Sequence, residues 1–269
     1  MKIAALQTVS ATSVEANLAA ARDLLAQAAQ QGAELAVLPE YFCLMGRRDR
    51  DKLAVREAFG AGPVQDFLAD RAHALGLWIV GGTLPLVADS PDHVRNTSLV
   101  YSPQGECVAR YDKIHLFRFD DGREQYDESR VIEPGRSPQG FTLPSRDGHA
   151  WRVGLSVCYD LRFPELYRGL GADLLLVPSA FTYPTGEAHW ELLLRARAVE
   201  NLAFVCAPAQ GGRHESGRRT WGHSMVVDPW GKVLAERSEE GAGVIVAELD
   251  AERLAQVRSQ LPALDNRML

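Results

Sequence analysis

A layered α/β fold is predicted by three features of this 269-residue chain. Short apolar runs alternate with segments of helical spacing from the first residue to about residue 210. Antiparallel hairpins follow each half of that alternation, which argues for mixed sheets in place of a wholly parallel one. No low-complexity or linker-like stretch divides the chain, so residues 1–250 read as a single domain whose helices cover sheet faces, with residues 251–269 as a polar tail.

The elements follow in order. Ile3 to Val9 is a short buried strand. Thr12-Ser13-Val14-Glu15 reads as a capping box, in which each side chain satisfies a backbone N–H that the first helical turn leaves open. Leu18, Ala21, Leu25 and Ala28 then share one helical face, and Gly32 ends the segment. Leu35 to Leu38 is the next strand, with Glu40 just beyond it. A helix over Val64 to Leu75 leads into the strand Leu77 to Val80. Leu99 to Tyr101 and Cys107 to Tyr111, joined by Pro103-Gln104-Gly105, form a hairpin. The polar segment from Phe119 to Pro134 reads as a long irregular loop of the kind that serves a site. Trp151 to Cys158 resumes the alternation, followed by a helix from about Pro164 and the strand Leu174 to Val177. The helix Glu187 to Leu202 places Trp190, Leu194, Ala198 and Leu202 on one face, and Phe204 to Ala207 is a strand. A second hairpin, Ser224 to Ala235, turns at Asp228-Pro229-Trp230-Gly231, and Gly243 to Glu248 is the last strand. In the tail, Arg253, Arg258 and Arg267 alternate with leucines, a pattern suited to packing at a subunit interface.

Composition narrows the function classes. At 46% hydrophobic and 24% charged residues the chain is an ordinary globular one, long enough to bury a large core without disulfides. A net charge of −6 gives no reason to expect nucleic acid or an anionic membrane, and no apolar run nears the ~20 residues that span a bilayer. The first residues enter a strand with no signal-peptide layout, so a cytoplasmic location is expected. The four cysteines form no C-x-x-C pair, and free thiols are expected.

Three residues carry chemistry by type and position. Cys158 stands where the apolar run Val153 to Val157 stops, Glu40 follows Val37-Leu38-Pro39, and Lys113 lies in Tyr111-Asp112-Lys113-Ile114-His115. A thiol, a carboxylate and an ammonium are a nucleophile, a base and an oxyanion partner. A thiol is mostly protonated at neutral pH, so Cys158 needs a base or a positive neighbour, and the Tyr159 N–H is a further oxyanion donor. Plainer readings stand beside these. Cys158 also fits a buried structural cysteine, Glu40 a solvated loop residue, Lys113 a surface ion pair with Asp112, and Glu128 a solvated carboxylate. A Cys–His pair stays open through His115, His189 or His223. G-x-S-x-G, P-loop, G-x-G-x-x-G and H-E-x-x-H patterns are absent, and no ligand spacing supports a metal.

Leu38-Pro39-Glu40-Tyr41-Phe42, Tyr111-Asp112-Lys113-Ile114-His115-Leu116-Phe117 and Val157-Cys158-Tyr159-Asp160-Leu161-Arg162-Phe163-Pro164-Glu165 together resemble the three signatures of the nitrilase superfamily of carbon–nitrogen hydrolases, in the same order. The resemblance implies a four-layer αββα sandwich with two mixed β-sheets, and a triad of Glu40 as base, Lys113 at the oxyanion and Cys158 as nucleophile. Glu128 falls where the family carries a second, supporting glutamate. No cofactor is implied, and a homodimer built through the helix after the nucleophile is. Cys158-Tyr159-Asp160 resembles the amidase branches. Ala209-Gln210-Gly211-Gly212-Arg213-His214 leans towards deaminated glutathione amidases, with omega-amidases acting on 2-oxoglutaramate as the alternative. Nitrile hydrolysis and a catalytically idle scaffold are more distant. For a carboxylated amide, Arg47, Arg48 and Arg213 are the expected substrate-binding residues, with Arg218 and Arg219 beside them; solvated loops are the plain alternative for all five.

Overall fold

A computed structural model describes residues 1–120, 122, 125–266 and 268. One sheet takes β1 (Lys2–Gln7), β2 (Leu35–Val37), β3 (Trp78–Val80), β4 (Leu84–Val87), β5 (Val94–Tyr101), β6 (Cys107–Asp112) and the last strand, β17 (Gly243–Glu248). Between them in sequence lie two small ribbons, β7 (Arg118–Asp120) with β8 (Gln125–Asp127), and β13 (Gly211–Arg213) with β14 (Arg219–Trp221). The second sheet takes β9 (Gln139–Pro144), β10 (Ala150–Leu155), β11 (Leu174–Leu176), β12 (Phe204–Ala207), β15 (Ser224–Val227) and β16 (Val233–Arg237). The helices are α1 (Val14–Gln30), α2 (Asp51–Ala54), α3 (Pro63–Leu75), α4 (Pro164–Leu170), α5 (Tyr183–Asn201) and α6 (Ala251–Gln260).

Each sheet is built on parallel strands in chain order, β1-β2-β3 in one and β10-β11-β12 in the other, with antiparallel strands outside them. Both sheets are therefore mixed, and the two halves of the chain build them in a similar order. The two-residue period of a strand sorts the first sheet's side chains into two cores. Ile3, Ala5, Leu35, Val37, Val80 and Val100 face the second sheet and join its buried cluster. Ala4, Leu6, Ala36, Leu38, Ile79 and Leu99 face the other way, onto Ala21, Leu25 and Ala28 of α1 and Phe67, Leu68 and Ala72 of α3. On the far side, Leu166 of α4 and Trp190, Leu194 and Ala198 of α5 close the second sheet. The result is a four-layer αββα sandwich with two mixed sheets, as the resemblance implies.

Several elements differ from the sequence reading. Ser13, not Thr12, caps α1, accepting from the Ala16 N–H at 3.3 Å, because Thr12 is drawn to Glu215 by both its N–H and its hydroxyl. The long α5 begins at Tyr183, four residues early, with a proline in its first turn. Strands β4 and β9 have no clear period in the sequence, and the segment read as irregular after Phe119 holds β8 and a short 3₁₀ turn at Glu128–Arg130. In the tail, α6 buries Leu254 and Val257 in its own chain, and Arg258 donates to Asp173, Leu202 and Ala172; Arg267 lies outside the described residues. Among the described residues no helix is long and apolar enough to cross a membrane.

Candidate active site

The parallel strands set the site's position. Their carboxyl ends open on one side, where a layered α/β sheet offers its crevice. Glu40 leaves β2, Cys158 leaves β10 and Ala180 follows β11, while Lys113 is the residue after β6. Two tight turns aim the first two. Tyr41 and Cys158 both adopt left-handed backbone, at φ 57° and 51°, a conformation that costs a non-glycine residue about 1–2 kcal/mol and that the surroundings must hold in place. The Tyr41 N–H donates to the Thr83 hydroxyl (2.9 Å), and the Cys158 N–H to the Pro178 carbonyl (2.9 Å). Gly82, at φ 49° behind the first turn, is the only residue type that fits there, since a Cβ would run into the Pro39 carbonyl oxygen.

Lys113 is buried, with its Nζ between two carboxylates: 2.9 Å from Glu40 Oε1, and 3.0 and 2.8 Å from Glu128 Oε1 and Oε2. The surface pair with Asp112 is not made; Asp112 accepts a bidentate contact from Arg110 instead. Glu40 is equally buried and accepts further hydrogen bonds from Asn96 Nδ2 (2.9 Å) and the Ala180 N–H (3.1 Å). Its carboxylate and the Cys158 thiol line the same cavity and shift one another's titration. Glu128 is no solvated carboxylate. It accepts from the Tyr41 hydroxyl (2.6 Å) and the Phe117 N–H (2.7 Å) as well as from Lys113. Cys158 opens a 3₁₀ turn (Cys158–Arg162), so the Tyr159 N–H is a first-turn donor with no partner inside the turn.

The titration of the cluster divides the two carboxyls. Burial raises the pKa of Glu40 above its ordinary 4.5, with Lys113 pulling the other way and Glu128 adding to the rise. Burial acts on Glu128 too, but Lys113 and the donors from Phe117 and Tyr41 outweigh it, and its pKa is lowered. For Lys113, burial opposes the charge and the two carboxylates overcome it, so the ammonium is held well above its usual range. Burial and then the Glu40 charge push the Cys158 thiol well up, against the pull of Lys113. These shifts favour a neutral thiol, a charged ammonium, an ionised Glu128 and a Glu40 of enhanced basicity. Two like groups with pKa values driven apart are the usual mark of divided acid–base roles.

Asp160 ties the nucleophile's turn to the lysine's loop. Fully buried, its Oδ2 accepts from the Tyr111 hydroxyl (2.7 Å) and the Val157 N–H (2.8 Å), and its Oδ1 from the His115 N–H (3.0 Å) and Nδ1 (2.7 Å). His115 also stacks on Phe163, with ring centroids 3.6 Å apart. The three candidate histidines are thus placed elsewhere than on Cys158: His115 on Asp160, His189 beside Arg162, and His223 on Glu236.

A cavity opens over this cluster, walled by Glu40, Glu128, Cys158, Phe117, Ala180 and Phe181 among others. The expected substrate-binding arginines Arg47, Arg48 and Arg213 are not in its wall. Arg47 is drawn to Glu215 (2.5 Å) and Arg48 to Asp51 in its own turn, while Arg213 projects into solvent from β13. The basic residues that do line the cavity are Lys52, Arg162, Arg218 and Arg219. The first two carried no signal in the sequence that separates them from any other surface cation.

Residues 2–259 match the carbon–nitrogen hydrolase family. The chain is 42% identical to a deaminated glutathione amidase of Synechocystis sp. over 98% of this chain and 97% of that protein. It is 39% identical to the human protein of the same name, over 98% and 81%. Among solved structures, the Saccharomyces cerevisiae Nit3 protein, described as a member of branch 10 of the nitrilase superfamily, superposes with a TM-score of 0.87 at 31% identity, covering all of this chain and 97% of that one.

Replacing Asp160 with Asn turns a two-proton amide towards groups that all donate. Asp160→Asn is expected to lower unfolding stability by about 2–3 kcal/mol, read from urea denaturation. A loss under about 0.5 kcal/mol would show that the four bonds do not hold the two loops together.

Proposed function

This chain belongs to the carbon–nitrogen hydrolase family and is an amidase within it, and we propose that Cys158, Glu40 and Lys113 perform its reaction on deaminated glutathione. The carrying observation is the Lys113 ammonium between Glu40 and Glu128, with the Cys158 thiol in the wall of the same cavity as Glu40. Support for the substrate comes from the names of relatives about 40% identical over nearly the whole chain.

Glu40 takes the thiol proton as Sγ bonds to the amide carbon, so the raised thiol pKa needs no free thiolate beforehand. The carbonyl oxygen becomes an oxyanion against Lys113 and the Tyr159 N–H; one such donor contributes about 3–4 kcal/mol to the transition state. Glu40 returns the proton to the leaving nitrogen as the C–N bond breaks, leaving a thioester on Cys158. A water then loses its proton to Glu40 and attacks the thioester. The second intermediate collapses with release of the acid, and Sγ regains its proton. Glu128 takes no proton in this scheme and keeps Lys113 charged and aimed. On deaminated glutathione the products are 2-oxoglutarate and cysteinylglycine.

A second copy of the chain completes the proposed assembly. Leu192 and Val199, seven residues apart on the outer face of α5, are 68% and 43% exposed, and Trp230 on the adjoining turn is 54% exposed. Arg195 Nε fastens that turn to the helix through the Gly231 carbonyl (2.9 Å). An apolar strip of this kind suits a two-fold pairing of α5 helices, in place of a pairing through α4, the helix that directly follows the nucleophile.

Side-by-side assays of the purified protein on deaminated glutathione, 2-oxoglutaramate and a simple nitrile should show the first turned over with the highest kcat/KM. Cys158→Ala should abolish that activity; a preference for 2-oxoglutaramate or the nitrile would displace the proposed substrate. A base with a raised pKa is lost as pH falls through that raised value. The acid limb of kcat/KM is therefore expected above pH 4.5, and a limb at or below it would remove Glu40 as the base. Sedimentation should give twice the 29.5 kDa chain mass, and Leu192→Glu should halve it; a monomeric parent protein would rule out the pairing.

A further inference from the structure

Lys52, on the short helix α2, is in the cavity wall and takes no part in the proposed chemistry. Its ammonium lies 4.9 Å from the centroid of the Tyr41 ring and has no hydrogen-bond or ion-pair partner among the described residues. Lys113 behind the cavity and the three arginines of its wall each have a hydrogen-bond partner, although Arg162, like Lys52, pairs with no carboxylate among the described residues. Lys113 is held by Glu40 and Glu128. Arg218 donates to Asp49 (2.8 Å), and Arg219 donates to Glu240 (2.7 Å) with its guanidinium 3.7 Å from the Tyr183 ring centroid. Arg162 lies over the rings of Tyr159 and Phe181 and against His189 Nδ1 (3.3 Å).

We propose that Lys52 is the anion-binding residue of this cavity and takes a carboxylate carried by the amide substrate. The inference rests on the amidase reading above and deepens it by assigning the recognition of substrate charge. Asp49 and Glu128 share the cavity wall but make no ion pair with this half-buried ammonium, and an incoming carboxylate supplies both the close charge and the acceptor. Burial, and then the neighbouring charge of Arg218, lower the Lys52 pKa, as expected for a cation in that condition. The face of Tyr41 that Lys52 covers belongs to the ring whose hydroxyl holds Glu128, and Glu128 holds Lys113. A carboxylate docked on Lys52 is therefore registered, through one aromatic ring, against the group that receives the oxyanion. In a protein of net charge −6 such a local cation is what lets an anionic substrate enter.

The test compares the parent protein with Lys52→Met, which keeps the apolar stem, and Lys52→Arg, which keeps the charge. Steady-state kinetics are measured on 2-oxoglutaramate, with a carboxylate on the acyl part alone, and on deaminated glutathione, which carries a second one on the leaving group. KM is expected to rise tenfold or more in Lys52→Met with a much smaller fall in kcat, and Lys52→Arg should recover most of it. A rise on both substrates assigns the acyl-side carboxylate, and a rise on deaminated glutathione alone assigns the leaving-group carboxylate. An unmoved KM, a rise that Lys52→Arg fails to recover, or an equal loss in kcat overturns the inference. If Lys52→Met does not fold, Lys52→Gln takes its place under the same criteria. A parent protein that hydrolyses neither amide would instead sink the amidase reading itself.

Discussion

The ammonium of Lys113 sits in the protein interior between two carboxylates, and the rest of the site is arranged around that contact. A buried charge survives only with partners, and stripping one partner from such a group typically costs about 3–5 kcal/mol. Here Glu128 is the partner that stays ionised, fixed by Tyr41 and the Phe117 N–H. That leaves Glu40 as the more basic of the two, with burial favouring its protonated form and Lys113 its carboxylate. The same ammonium is thus a counter-ion at rest and an oxyanion partner in the proposed reaction.

The two-sheet architecture is what brings these groups to one place. Glu40 and Lys113 come from the first sheet, Cys158 and the Ala180 N–H from the second, so the reaction space lies across the seam between them. The Ala180 N–H on Glu40 Oε2 and Asp160 on the His115 loop are bonds across that seam. Two of the four left-handed non-glycine residues among the described residues, Tyr41 and Cys158, sit at the site's turns, and each is held by its backbone N–H donating to a neighbouring loop.

Much of this was legible in the sequence. Apolar runs and hairpins predicted layered sheets, and the residues ending three of those runs are the ones the fold gathers. The limits are physical. A strand such as β9, whose exposed and buried residues do not alternate cleanly, leaves no period to read. Helix α1 shows how neighbours decide a cap, since Glu215, two hundred residues away, competes for Thr12. The arginines were the weakest part of the reading, because a guanidinium's direction is decided by whichever carboxylate is nearest in space. Glu215 and Asp51 claim Arg47 and Arg48, while Lys52, unremarkable in sequence, is left facing the cavity. Asn96 and the Ala180 N–H on Glu40 had no signal at all: one is a single polar residue in a strand, the other a backbone group.

The central claim is that a covalent acyl group passes through Cys158. Intact-mass and peptide mass spectrometry of the protein, acid-quenched during steady turnover of an amide, tests it directly. The account predicts an adduct of the acyl group's mass on the Cys158 peptide, released by hydroxylamine as thioesters are. Quenched turnover that leaves Cys158 unmodified, or an adduct on the exposed Cys107 instead, would contradict it.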